Sequence, residues 1–204
     1  MPNNIANKVF NFKGKKEDII KFKEAVYTDK DLLFDFNKII PMPEELLIDE
    51  RSSAVTAMEY LVDKLSKLPT YPSVPFHIGS DKNLMDEEID LALKYIKNTV
   101  KYGARNWYGW RNQNWGTKWN AFDQEMKDAN DITLEYYFRT AWAFPLPIFE
   151  KLTLMFPTLS FTVRWADIDD EGYNSGIFIA TEGNYEAKFF EGESALENLN
   201  IVEY

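Results

Sequence analysis

The 204 residues contain no cysteine and a single histidine. The first absence removes disulfides, zinc–thiolate sites and thiol catalysis. The second removes metal sites built on histidine pairs. It leaves His77, between Phe76 and Ile78 in a proline-rich stretch, as the only imidazole. A Ser-His-Asp triad around it would need a marked serine, and no G-x-S-x-G is present. No run approaches the roughly 20 apolar residues that cross a bilayer. Residues 1–8 lack the apolar centre of a signal peptide, so a cytoplasmic location is expected. Positive charge is also scarce: 23 Lys and Arg stand against 33 Asp and Glu, a net charge of −10. General adhesion to nucleic acid or to anionic lipid needs the opposite sign.

What the chain has in excess is aromatic rings, 16% of its residues. They concentrate in residues 106–120, which hold four of the six tryptophans (Trp107, Trp110, Trp115 and Trp119) and no acidic residue. The basic residues Lys94, Lys97, Lys101, Arg105, Arg111 and Lys118 run through and before this stretch, again with no acid between them. Two functions fit such a segment. The rings can stack on bases while the cations meet phosphate. Alternatively, the tryptophans fold back to cap the core, with indole N–H groups on loop carbonyls and turns supplied by Gly109 and Gly116. The candidate binding residues are Arg105, Trp107, Trp110, Arg111, Asn114, Trp115, Lys118, Trp119 and, further on, Trp142. At least two of the tryptophans are expected to cluster and join this region to a sheet.

Alternation of apolar and polar residues predicts strands at 5–12, 31–37, 132–139 and 159–165. Phe10, Phe34, Leu134 and Phe161 are expected on one buried face. A helix with Ile19, Phe22 and Val26 on one stripe follows the first strand, and another at about 146–156 follows the third. Between the second and third strands lie two more helical patterns. One carries Val55, Met58, Leu61, Val62, Leu65 and Leu68, and the other, from about Met85 to Lys101, carries Ile89, Leu93, Ile96 and Val100. Residues 177–181 and 185–190 read as a hairpin turning at Glu182-Gly183-Asn184. The expected architecture is a single α+β domain: a ferredoxin-like β-α-β-β-α-β antiparallel sheet, a helical insertion at about 41–131, and an acidic C-terminal hairpin and tail at about 167–204.

Three segments carry a family resemblance. They are Phe36-Asn37-Lys38-Ile39-Ile40-Pro41-Met42-Pro43-Glu44-Glu45-Leu46, Asn114-Trp115-Gly116-Thr117-Lys118-Trp119-Asn120, and Phe138-Arg139-Thr140-Ala141-Trp142 with Pro145 and Pro147. They resemble signature segments of the YubB-like family, carried by bacteriophages and conjugative plasmids. The resemblance implies a ferredoxin-like domain, a mobile-element origin and a bacterial host. It implies no activity. The Trp-Cys pair that family often has near its N-terminus is replaced here by Asn4-Ile5.

The remaining candidate chemistry is the acidic stretch from Asp167 to Gly172. A calcium loop starting at Asp167 needs glutamate at its twelfth position, which is Phe178, so a solvated acidic loop is expected. No metal or cofactor site is expected. Nor is RNA recognition on the open face of the sheet, where Tyr137 is the only aromatic residue on the expected face of the central strands. The chain is expected to act without catalysis, binding a host or phage protein through the exposed margin of the Trp-rich loop. Nucleic-acid binding through residues 94–120 is the alternative.

Overall fold

The computed structural model describes residues 3–66, 86–129, 133–169, 174–191, 195 and 197–198. In chain order its elements are β1 (Asn4–Lys13), α1 (Lys16–Val26), α2 (Phe36–Ile39), α3 (Ser52–Ser66), α4 (Asp86–Tyr102), α5 (Trp107–Asn114), β2 (Phe122–Ala129), β3 (Thr133–Ala141), α6 (Leu146–Met155), β4 (Ser160–Asp167), β5 (Ser175–Thr181) and β6 (Asn184–Phe190). They fall into two compact units. One comprises Met1–Pro41 with Arg111–Tyr204, the other Met42–Trp110.

The first unit is built on one six-stranded sheet of order β2-β3-β1-β4-β5-β6, and every pairing is antiparallel. The first four strands with α1 and α6 make the β-α-β-β-α-β arrangement of a ferredoxin-like fold. Ile5 and Val9 of β1, Leu134, Tyr136 and Phe138 of β3, and Phe161, Val163 and Trp165 of β4 are all buried. Helix α1 adds Ile19, Phe22 and Val26, and α6 adds Ile148, Phe149 and Leu152. The core is largely rings. Phe22 lies 4.9 Å from Phe12 and 5.7 Å from Phe161, and Phe149 lies 5.8 Å from Phe178, in the tilted and edge-on geometries that aromatic pairs prefer.

The second strand is not at 31–37. There, Asp29 accepts from the backbone N–H groups of Asp31 and Leu32, and Asp35 caps α2 by accepting from Asn37 N–H at 2.8 Å. These local bonds compete with a ladder and turn the chain. Phe34 and Phe36 still enter the core, so the alternation reported burial without reporting a strand. The second strand is β2, a charged edge strand, which moves the insertion to a position between α1 and β2. The insertion's compact part is correspondingly narrower than 41–131.

Phe10 and Phe12 do not share a face. Asn11 has φ 56° and the β1–β4 register shifts between Phe10 and Lys13. The bulge sends Phe12 into the core and leaves Phe10, half-exposed, on the opposite face with Lys8. The hairpin forms where expected, but its turn is only Glu182 (φ 52°) and Gly183 (φ 74°), both left-handed as a two-residue turn between twisted strands requires, and Asn184 already pairs with Thr181.

In the unit Met42–Trp110, α3 and α4 pack through Ala57, Leu61 and Ala92, with Met58 and Ile96 at the margin. The inward stripes differ from those expected. Val62, Leu93 and Val100 are exposed, and α4 buries Ala92, Tyr95 and Asn98. Hydrogen bonds select that face. The Tyr95 hydroxyl donates to Asp49 O at 2.6 Å and accepts from Arg51 N–H, while Asn98 Nδ2 donates to Glu45 O and Arg105 O. Leu65 and Leu68, His77, Ile132 and residues 170–172 of the acidic stretch are not among the residues whose side chains are described.

Glu45 gives this unit a pH dependence. Its own backbone N–H, the Tyr102 hydroxyl and the Lys101 ammonium at 3.2 Å hold its carboxyl down to about 2, from an ordinary 4.5. A depressed folded-state pKa stabilises above the unfolded value, and that stabilisation is lost as pH falls through the folded value. Thermal melts at pH 6 and pH 2 should therefore differ less for Glu45→Gln than for the parent chain.

Candidate binding surface

The nine residues singled out by sequence divide between the two units. Arg105, Trp107 and Trp110 belong to Met42–Trp110. The Arg105 guanidinium pairs with Glu50, whose other oxygen takes a 3.3 Å bond from Asn106 Nδ2. Asn106 also caps α5, its side-chain oxygen accepting from Gly109 N–H at 3.2 Å. Trp107 is half-buried and meets Tyr108 edge-on at 5.8 Å, and Trp110 is buried.

Arg111, Asn114, Trp115, Lys118, Trp119 and Trp142 belong to the sheet unit. Trp115 is 1% exposed. Its Nε1–H donates to Ile40 O at 2.9 Å and its ring stands edge-on to Phe36 at 5.9 Å. Arg111 is half-buried over that ring, 4.8 Å from its centroid, and burial pulls its guanidinium below the ordinary range. Asn114 is half-buried. Trp110 and Trp115 are thus core anchors, and their indoles leave the candidate surface.

The chain then makes a tight turn. Gly116 has φ 77°, and a Cβ there would lie 2.8 Å from Pro147 Cδ, so glycine alone fits. Thr117 clamps the turn to the end of β3: its hydroxyl donates to Ala141 O at 2.8 Å and accepts from Ala141 N–H at 3.1 Å. That clamp brings Lys118 and Trp119 beside Trp142. The Lys118 ammonium lies 5.0 Å from each indole, Trp119 is 36% exposed and Trp142 43%. Trp119 also meets Phe122 edge-on at 5.9 Å. Below them Asn120 ties the turn to α2. Its Oδ1 accepts from Phe36 N–H at 2.9 Å and its Nδ2 donates to Asp35 at 2.7 Å.

Trp142 has φ 69°, a left-handed backbone that bulky residues rarely adopt and that costs of order 1–3 kcal/mol. It is held there from both sides. Its N–H donates to Asn3 O at 2.9 Å, and its carbonyl accepts from Asn174 Nδ2 at 3.0 Å. Asn3, Thr117, Asn120 and Asn174 therefore position the exposed indoles, and none was a sequence candidate. No spacing in the sequence marks them, because each bonds a residue distant along the chain.

The opposite face of the sheet is less open than its ring content suggests. With Ile5 and Val9 turned into the core, the alternation of β1 puts Phe10 with Tyr137 there, correcting the expected count of one aromatic. However, the ammonium groups of Lys8 and Lys127 lie 5.0 and 4.7 Å from the Tyr137 ring, which is 8% exposed. Lys8 itself is 9% exposed and reaches Glu135 at 3.9 Å. A base would have to displace these lysine stems to stack on Tyr137.

Two helices on one face of an antiparallel sheet of this order define the class: an α+β protein with a ferredoxin-like domain. A family model agrees with that class. Residues 114–201 match the family model described as the ferredoxin-like domain in Api92-like protein. That match starts at the end of α5 and covers β2 to β6, so β1, between β3 and β4 in the sheet, and the helix α1 lie outside it. Among solved structures, the protein api92 from Yersinia pseudotuberculosis is similar at 7% identity and a TM-score of 0.49, over 94% of this chain and 99% of that one. No curated protein matches. Among the described residues, no helix is long and apolar enough to cross a membrane.

Proposed function

We propose that the protein acts by binding rather than by catalysis, and that its contact surface is the margin formed by Lys118, Trp119, Phe122 and Trp142. One observation carries this reading: Trp142 stays 43% exposed in a strained backbone that bonds from Asn3 and Asn174 hold from either side. Backbone strain clusters at functional sites, and rigid, half-exposed indoles are the residues that anchor protein interfaces. A protein partner suits the surface better than nucleic acid. The Lys118 charge is engaged by two rings, and Arg139 on the neighbouring strand is paired with Asp123 at 3.2 Å. The resemblance of three sequence segments to the YubB-like family supports a phage or plasmid origin and action inside a bacterial host.

Trp142→Gly separates binding from folding. Glycine accepts φ 69° without strain, so the variant should be as stable as the parent or about 1 kcal/mol more so. Combined with Trp119→Ala, it should abolish recovery of the partner that the tagged parent chain captures from its host. Retention of that partner by the double variant would refute the assignment. If what the parent captures is DNA or RNA, with affinity falling steeply between low and physiological salt, the surface is instead a nucleic-acid site. Charge reversal at Arg105 and Arg111 is a poorer test, because it would break the Glu50 pair and bring a carboxylate to the Trp115 ring.

A further inference from the structure

Strand β6 ends the sheet. Among the described residues no strand pairs along its outer side, and six of its seven residues are exposed. An uncovered edge of this length is usually blunted by proline, by clustered charge of one sign or by a bulge. The run Asn184-Tyr185-Glu186-Ala187-Lys188-Phe189-Phe190 has no proline, carries one charge of each sign, and pairs with β5 residue for residue without a shift. Phe189 is 70% exposed and Tyr185 43%.

The turn fixes which backbone groups point outward. Thr181 and Asn184 flank the two-residue turn and face each other across it. Alternate residues from there, Glu186 and Lys188, turn their amide and carbonyl toward β5. In agreement, the Lys188 oxygen lies 2.4 Å from where a Gly176 Cβ would stand. Tyr185, Ala187 and Phe189 therefore present their N–H and C=O groups outward.

From this geometry we infer that β6 pairs with β6 of a second copy of this chain, antiparallel, about a two-fold axis at Ala187. The sequence is self-complementary in that register. Glu186 falls opposite Lys188 of the second copy and Lys188 opposite its Glu186, on the face away from the helices. Tyr185 falls opposite Phe189, and Phe189 opposite Tyr185, on the helix side. The outward N–H and C=O groups of all three residues then meet a partner. Shape follows the same symmetry. Beside Tyr185 is a cavity of about 330 Å³, lined by Glu150, Thr153, Leu154, Gly183, Asn184 and Tyr185, and Leu154 at its rim is 70% exposed. The two-fold sets the exposed Phe189 of each copy at the mouth of the other's cavity, giving an isologous contact of knob and hole. A one-residue slip would instead place Phe189 opposite Glu186, an apolar ring against a charge.

The test uses sedimentation velocity on the full chain over a range of concentrations. The parent should show a reversible monomer–dimer equilibrium. Glu186→Lys sets lysine against lysine and Lys188→Glu sets glutamate against glutamate. Each, alone, should weaken the dimer roughly tenfold or more, because two favourable cross-strand pairs become repulsive. Mixing the two variants should restore association as a heterodimer, seen as a mixed-mass species by native mass spectrometry. The swapped double variant, Glu186→Lys with Lys188→Glu, should dimerise like the parent. Both side chains are exposed, and circular dichroism checks that the fold is retained. A parent chain that stays monomeric at every concentration overturns the inference. So do single variants that keep the parent's affinity, a mixture that does not associate, or a monomeric double swap.

Discussion

Replacing Trp115 with alanine is expected to cost about 3–5 kcal/mol of stability, the range for removing a fully buried large aromatic side chain. Three contacts are lost together: the edge-on packing against Phe36, the bond from Nε1 to Ile40 O, and the ring beneath the Arg111 guanidinium. The Ile40 carbonyl and the guanidinium would both face the cavity left behind. Trp119→Ala, one helical turn along in sequence but 36% exposed, should cost less than about 1 kcal/mol. Denaturant titration of both variants checks the pair. Equal losses would mean that the exposed indole is structural after all and would remove the main support for the binding surface.

Gly176→Ala should be nearly as damaging although it adds a single carbon. A Cβ at this position would lie 2.3 Å from Cζ2 and 2.6 Å from Cη2 of Trp165, and 2.4 Å from the backbone oxygen of Lys188. Neither obstacle is a flexible chain end. The Trp165 ring is fully buried and stacked on Phe144 at 4.0 Å, and the oxygen belongs to the adjacent strand β6. Overpacking against groups that cannot yield lies at the upper end of its usual range, so a loss of about 3 kcal/mol is expected. The near-ultraviolet signal of tryptophan should change with it, since the indole must tilt or the β5–β6 ladder must open. A variant with the parent's denaturation midpoint would contradict the packing described for β4, β5 and β6.

Much of the sheet was legible in the sequence because its strands are half-buried. Leu134, Tyr136 and Phe138 alternate with polar neighbours, as do Phe161, Val163 and Trp165, and both runs are strands of the ferredoxin-like core. The second strand was hidden for a physical reason. An edge strand such as Phe122–Ala129 carries Asp123, Glu125, Lys127 and Asp128, and charge on an edge resists aggregation while erasing the apolar period. The residues 31–37 supplied a false strand because Phe34 and Phe36 are both core residues on a segment that Asp29 and Asp35 turn locally. On α4, a polar pair displaced the apolar stripe. Tyr95 and Asn98 bury because backbone groups await them, and no periodicity of hydrophobic residues encodes that. In the candidate surface, the tryptophans were visible as a cluster, but their sorting into core and surface was not. It depends on Ile40, which receives the Trp115 indole, and on the Thr117 bonds to Ala141, both contacts between residues distant in sequence.

The bond from Trp115 to Ile40 spans 75 positions, and the β1–β3 pairing joins Asn7 to Phe138 across a still longer stretch. Closing such loops precedes the energetic return from the contacts they allow, so chains dominated by distant pairings fold slowly. Loop-closure entropy depends on the logarithm of the flexible length, with each doubling costing only about 0.6 kcal/mol. Once α3 and α4 have formed as a compact helical pair, the stretch between Ile40 and Trp115 holds far fewer free residues than its count. The insertion then lengthens the search for the N-terminal strand by much less than its residue count implies.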